Sequence, residues 1–327
     1  MYKFFYNQIV SRLPDQLVEY FGGPFIGIIA TFHFNKIISL PFTIANLKFE
    51  NPVGMTSGWA DSPKKINRIH KLGAGIVISK TITVDKRKGN PYPRIIRDKD
   101  ILINSMGLPN NGVDWWENKL KANSNSHVRM HSIKGYTFEE WEILINKLEK
   151  FTEVFELNLS CPNIQEGIMD LKESMQLIND ISSISTKPIW LKLSPEYPPK
   201  QNLELINKVR SNILGVTLIN TIPVENNKLG NPMKIGGLSG RTIYPKLLQQ
   251  LDTIRLSYFN HSELPIMATG GIVSNDRFWE ILSKYKAIPI GLTGFLTQGP
   301  KYYYNVAKYI KNQMDYNEID SVNSILE

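Results

Sequence analysis

Eight short β-like runs recur along the chain, at residues 53–57, 75–80, 127–132, 154–159, 188–193, 215–220, 264–269 and 288–293, each with a polar residue at or next to its end. Segments with helical spacing of apolar residues lie between most of them, at 63–72, 138–150, 171–184, 201–209, 244–256 and 275–283. Parallel neighbours in a sheet need a long crossover, which a helix supplies, so this alternation predicts a parallel sheet. At eight repeats the sheet closes on itself, and the fold class expected is α/β, a (β/α)8 TIM barrel. The 327 residues are enough for one such barrel with additions.

The longest intervals follow Lys80 and Asn220, where far more residues are spent than one helix needs. Insertions at strand ends commonly cover a site. Residues 1–41 do not fit the repeat. They carry Phe4, Phe5, Ile9, Val10, Leu13, Leu17, Val18 and Phe21 at roughly helical spacing, a Gly22-Gly23-Pro24 break and an apolar stretch at 25–34. The division expected is a helical N-terminal extension at 1–41, the barrel at 42–313 and a C-terminal tail at 314–327. The extension reads as a barrel-bottom plug, a helical appendage or an amphipathic pair that lies on a bilayer.

Hydrophobic residues make up 42% of the chain and charged residues 21%, with no apolar run of about 18 residues to span a membrane. The start, Met1-Tyr2-Lys3-Phe4-Phe5-Tyr6-Asn7, has no secretory pattern. The expected location is the cytoplasm, with a peripheral contact on the inner face of the cell membrane if residues 1–41 touch lipid. The net charge of +8 is spread over lysines mixed with acids, which speaks against nucleic acid and suits small anionic ligands. The densest basic cluster, Lys86-Arg87-Lys88, opens a turn-rich, site-lining loop, Gly89-Asn90-Pro91-Tyr92-Pro93-Arg94.

In a barrel the C-terminal ends of the strands converge on one mouth. The residues expected there are Ser57, Lys80, Ser132, Asn158, Lys192, Asn220, Thr269 and Thr293. None is acidic, which argues against a divalent metal site or a paired-carboxylate hydrolase. Cys161 follows the fourth run in Asn158-Leu159-Ser160-Cys161-Pro162-Asn163 and is the single cysteine, so disulfides and thiolate clusters are set aside. It is either a buried spectator or an acid/base. A thiol with an ordinary pKa of about 8.5 becomes a usable base once a site lowers that value modestly. His131 is the nearest histidine at a strand end, and alternation should turn it to the face opposite Ser132. Glycine-rich loops, Ile235-Gly236-Gly237-Leu238-Ser239-Gly240, Ala268-Thr269-Gly270-Gly271-Ile272 and Gly291-Leu292-Thr293-Gly294-Phe295, include the two after the seventh and eighth runs, where barrels hold phosphate on bare N–H groups.

The stretch 158–163, the segment from Ser79-Lys80-Thr81 to Arg94, and Asn104-Ser105-Met106-Gly107-Leu108-Pro109-Asn110 resemble the dihydroorotate dehydrogenases. The resemblance covers about residues 47–309. It implies an FMN-dependent barrel that oxidises dihydroorotate to orotate in pyrimidine biosynthesis. It also implies Cys161 as the base for the C5 proton, with Lys80 beside it at the catalytic centre. Substrate-binding positions implied are Lys80, Asn104, Met106, Gly107, Leu108, Asn158, Asn163, Asn220 and Thr221. Flavin-binding positions implied are Thr56, Ser57, Lys80, Ser132, Asn158, Lys192, Gly240, Gly270, Gly271, Thr293 and Gly294. Asparagines suit a dihydropyrimidine because one amide both donates and accepts. Lys80 suits the substrate carboxylate, and Lys192 suits charge developing on a flavin.

The cysteine base and residues 80–94 look like the soluble class, whereas the extension, Gly236-Gly237-Leu238-Ser239-Gly240-Arg241 and Thr293-Gly294-Phe295 look like the quinone-reducing class. The acceptor is quinone or fumarate, and a homodimer is compatible with the family. The alternatives are a related FMN-dependent dihydropyrimidine or dihydrouridine reductase and a non-catalytic phosphate-binding barrel. One cysteine excludes an in-chain iron–sulfur relay, and the charge pattern lacks the basic face a tRNA substrate needs.

Overall fold

The computed structural model describes residues 13–14, 16–17, 37–98, 101–122, 130–159 and 170–327. It opens on an antiparallel hairpin, β1 (Phe42–Ile44) and β2 (Leu47–Phe49), in which Phe42 and Phe49 stack with ring centroids 5.3 Å apart. Eight parallel strands follow: β3 (Gly54–Met55), β4 (Ile76–Val77), β7 (Met130–Ile133), β8 (Val154–Asn158), β9 (Ile189–Lys192), β10 (Gly215–Leu218), β13 (Ile266–Ala268) and β14 (Ile288–Pro289). Direct pairing joins β3 to β4 and runs β7-β8-β9-β10-β13-β14. Parallel bridges Ile78↔Met130 and Gly54↔Ile290 complete the circle. The barrel is therefore closed, and no edge of it is left to pair with another chain.

The helices between the strands are α1 (Pro63–Lys71), α2 (Val113–Lys121), α3 (Phe138–Leu148), α4 (Leu171–Ile184), α5 (Pro199–Val209), α6 (Tyr244–Arg255) and α7 (Asn275–Ser283). Their starts are written locally. The Ser62, Thr137 and Asp170 side chains accept the N–H groups of Lys65, Glu140 and Glu173, and Pro63 occupies the first turn of α1. Every residue of β7, β8, β9 and β10 is buried, as expected for strands covered by helices outside and by packed side chains within. Inside the barrel, Trp190 Nε1 donates to Thr217 Oγ1 at 3.0 Å, and Thr217 Oγ1 donates to Glu156 Oε2 at 3.0 Å. Gly215 leaves room for the Trp190 indole: a Cβ there would sit 2.6 Å from the ring.

The two long intervals meet. Strands β5 (Ile95–Asp98) and β6 (Ile101–Asn104) from the first pair with β11 (Ile222–Glu225) and β12 (Ile235–Gly240) from the second, as one antiparallel sheet ordered β11-β12-β6-β5. Both insertions leave the C-terminal ends of their barrel strands, so this sheet stands over the mouth.

Three features differ from the sequence reading. The run at 288–293 is a strand only to Pro289, and Thr293 instead begins α8 (Thr293–Gln298). Helix α2, with Val113, Trp116 and Leu120 buried, was hidden inside an interval read as cover. The C-terminal residues are packed structure: α9 (Tyr302–Tyr316) runs past residue 313, and α10 (Val322–Leu326) buries Val322, Ile325 and Leu326. Asn323 donates to Thr43 O and accepts from Thr43 N, both at 3.2 Å, which fastens α10 to β1. No helix among the described residues is long and apolar enough to cross a membrane.

Candidate active site

The strand ends carry a chain of hydroxyls and amides. Ser132 N donates to Ser79 Oγ at 3.1 Å, Ser132 Oγ and Thr81 Oγ1 share a hydrogen bond of 3.1 Å, and Asn158 Nδ2 donates to Thr81 Oγ1 at 3.0 Å. These residues come from the ends of β4, β7 and β8, three adjacent strands. Asn158 Oδ1 is buried and accepts nothing among the described residues, and the same holds for Thr56 Oγ1 after β3. A buried amide oxygen without a donor costs free energy unless a ligand supplies one. Two such atoms at one mouth mark a binding surface.

Lys192 ends β9 and its Nζ donates to Ser57 Oγ at 2.9 Å. Strands β3 and β9 are the first and fifth of eight, so the lysine side chain bridges the mouth to the far wall. It is only 6% exposed. Register places it directly beside Asn158. Lys80, at the end of the second run, is half-buried and held through its backbone N–H to Ala60 O at 2.8 Å.

The overlying sheet brings the second group of predicted positions into the same region. Asn104 Nδ2 donates to Gly237 O at 3.2 Å, and Asn220 Oδ1 accepts from Thr221 N at 2.9 Å. Gly237 has no room for a side chain because Thr221 Oγ1 occupies it. Met106 accepts Asn90 N through its carbonyl at 3.0 Å, and Gly107 and Leu108 follow with φ of 69° and 54°. The Gly107 kink leaves space for the Asn90 side chain, 2.6 Å from where a Cβ would stand. The loop 86–94 is thereby folded onto 104–110, with Arg94 donating to the carbonyls of Lys88 and Asn90 and stacking on Tyr92.

On the opposite side of the mouth lie the glycine loops. Gly240, Gly270 and Gly271 have φ of 100°, 124° and 76°, a region glycine enters at little cost. Thr293 Oγ1 donates to Ser239 Oγ at 3.2 Å, joining the loop after β14 to the end of β12. The sequence reading did not single out Thr81, Asn90, Ser105 or Asn231 as site residues. Asn90 Nδ2 and Asn231 Nδ2 both donate to the fully buried Ser105 Oγ. Thr81, Asn90 and Ser105 stood as polar residues inside the motifs named above, which does not say whether a residue faces a ligand or holds a loop, and Asn231 lay outside every one of them.

His131 is turned away from the mouth, its ring edge against Trp116 of α2 with centroids 5.4 Å apart. Burial lowers its pKa to about 3, so the imidazole is neutral. Cys161 and Asn163 lie outside the described residues.

A family model described as "Dihydroorotate dehydrogenase" matches residues 39–314. The chain belongs to the dihydroorotate dehydrogenase family. It is thus an oxidoreductase that takes dihydroorotate to orotate in pyrimidine biosynthesis, with the FMN of that family. The chain is 29% identical over 306 residues to the catalytic subunit of dihydroorotate dehydrogenase B (NAD(+)) from Pyrococcus furiosus, covering 88% of this chain and 98% of that one. It is 31% identical over 281 residues to a dihydroorotate dehydrogenase (quinone) from Christiangramia forsetii, covering 79% and 80%. A crystal structure of DHODH from Eimeria tenella in complex with ferulenol superposes with a TM-score of 0.81 at 19% identity, over 95% of this chain and 94% of that one, a likeness of fold. The dihydroorotate dehydrogenase mouth fits FMN on its own features: unpartnered Thr56 Oγ1 and Asn158 Oδ1, a buried lysine, and positive-φ glycines that let backbone approach a phosphate.

Proposed function

We propose that Cys161 is the base of this dihydroorotate dehydrogenase and that the mouth residues divide between substrate and flavin as the family resemblance implies. One observation carries the reading. Among the described strand ends the mouth offers amides, hydroxyls and two lysines, while the one nearby imidazole faces the helix layer and is held neutral. The family resemblance puts the base in the loop after Asn158, and Cys161 is the group there with suitable chemistry.

In this reading the thiolate of Cys161 breaks the C5–H bond and keeps the proton. A bound FMN would supply the acceptor for the hydride that leaves C6. Asn104, Asn158, Asn163 and Asn220, with Thr221, present donors and acceptors to the pyrimidine ring. Met106, Gly107 and Leu108 shape the wall beside it, and Lys80 meets the carboxylate. Asn158, through Thr81, also fixes Ser132. Thr56, Ser57, Lys80, Ser132 and Asn158 line the flavin's ring side, and Lys192 places positive charge there in a buried setting where it is strongly felt. Gly240, Gly270, Gly271, Thr293 and Gly294 take the phosphate end.

Residues 1–41 serve the electron acceptor, with quinone the acceptor the extension suits. Lipid contact and a cytoplasmic, peripheral location go with that assignment, and a homodimer is compatible with it. The test is stopped-flow kinetics. Cys161→Ala should keep FMN and orotate binding but reduce flavin with dihydroorotate at least 10²-fold more slowly at neutral pH, on the order expected for a lost general base. Near-normal reduction would remove Cys161 from the role. Reoxidation by a short-chain quinone, fumarate, NAD and oxygen in parallel, with and without residues 1–41, identifies the acceptor. Fast turnover with fumarate or NAD that survives truncation would make the extension structural.

A further inference from the structure

The loop after β13 is held from behind by side chains that have no place in the reaction described above. Arg277 Nη1 donates to Gly271 O at 2.6 Å, Tyr302 Oη to Ile272 O at 3.0 Å, and Gln298 Nε2 to Val273 O at 2.5 Å. Three consecutive carbonyls are thus pinned by α7, α8 and α9. The loop after β14 is treated alike, since Tyr303 Oη donates to Gly291 O at 2.5 Å.

A trans peptide sets the C=O of one residue antiparallel to the N–H of the next. Pinning the carbonyls of Gly271, Ile272 and Val273 therefore turns each of the N–H groups of Ile272, Val273 and Ser274 away from the side chain that clamps its own peptide. Pinning Gly291 does the same for the N–H of Leu292. No acceptor among the described residues takes these N–H groups. Ser274 also leads directly into α7, whose N-terminus adds to the positive potential.

Tyr302 touches both loops. Its hydroxyl, while bonded to Ile272 O, fills the space where a Cβ of Gly294 would stand. Gly294 is a glycine because this hydroxyl passes beneath it. Tyr302 and Tyr303 pack edge to face at 5.3 Å, Tyr303 stacks on Phe295 at 5.3 Å, and Tyr302 meets Phe278 edge-on at 5.8 Å. Both tyrosines are buried, and burial pushes the Tyr303 pKa up, so its hydroxyl stays a donor. Arg277 lies over the Tyr244 ring at 4.2 Å and also reaches Arg241 O at 3.3 Å, which ties the first loop to the turn after Gly240.

We propose that Tyr302, assisted by Tyr303, Arg277 and Gln298, is a positioning residue that holds the two glycine loops in one arrangement and aims their N–H groups at the flavin phosphate. This rests on the FMN reading and deepens it. The side chains do not touch the phosphate. Their contribution is preorganisation: the N–H groups need not be reoriented when the anion arrives.

The test compares FMN with riboflavin, which lacks the phosphate, binding to protein stripped of its flavin, followed by flavin fluorescence. Tyr302→Phe removes only the hydroxyl and keeps the ring contacts. It should weaken FMN about tenfold, the scale of one lost hydrogen bond that leaves a carbonyl unpartnered, while riboflavin changes by less than about twofold. Arg277→Gln, at a partly exposed position, should give the same selective loss and covers the case in which Tyr302→Phe does not fold. Equal weakening of both flavins, or FMN binding unchanged in both variants, would overturn the positioning role. A wild-type protein that binds riboflavin as tightly as FMN would overturn the phosphate reading beneath it, a distinct result.

Discussion

His131 gives a stability prediction whose size follows from its surroundings. It is 0% exposed, its ring nitrogens have no partner among the described residues, and burial lowers its pKa to about 3. In the unfolded chain the same imidazole titrates near 6.5. The folded value is the depressed one, so below pH 6.5 the unfolded state binds more protons. The stabilising contribution is complete above about pH 6.5 and is lost as pH falls toward 3. The slope is about 1.4 kcal/mol per pH unit, so the loss at pH 5 is about 2 kcal/mol. That figure barely changes if the folded pKa is a unit higher, because pH 5 still lies above it. Against a total stability of about 5–15 kcal/mol the effect is measurable.

The assay is urea denaturation of the wild type and His131→Phe at pH 7 and pH 5. Phenylalanine keeps a ring against Trp116 and cannot take a proton. Any change in packing is present at both pH values and cancels in the double difference. The wild type should lose about 2 kcal/mol more than the variant between the two pH values. Equal losses would show that the imidazole is hydrated or already charged in the folded protein.

Two further outcomes are expected. Lys192→Met should slow flavin reduction by dihydroorotate on the order of 10²-fold in stopped-flow absorbance or release the flavin on gel filtration, because a buried cation spanning to Ser57 is removed; an unaffected rate with full flavin retention would place its charge elsewhere. Gly75→Ala should lower stability by about 1–3 kcal/mol in thermal unfolding, since the new Cβ would overlap the Asn51 carbonyl and stand 2.6 Å from Asn51 N; a variant as stable as the wild type would mean the backbone of Asn51 yields freely.

The barrel was legible in the sequence because its periodicity is local. Each β-like run and each helical segment writes its own pattern, and 171–184 and 275–283 emerge as helices with the bounds read from spacing alone. Alternation also sufficed to turn His131 from Ser132. Less legible were α2, whose apolar positions sit inside an insertion, and α10, whose helix is fastened to β1 by an asparagine 280 residues away. Short elements carry little periodic signal, and their stability comes from packing that sequence spacing does not display.

Sequence alone was enough to show which residue types end the barrel strands: lysines, amides and hydroxyls, with no carboxylate among them. Which of these residues meet depends on the closed fold. Lys192 reaches Ser57 across the barrel, two insertions separated by more than a hundred residues pair as one sheet, and Tyr302 lies between two glycine loops. Closing the barrel converts distances along the chain into distances across a mouth a few side chains wide. Contacts between its opposite walls depend on that closure, and no local pattern records them.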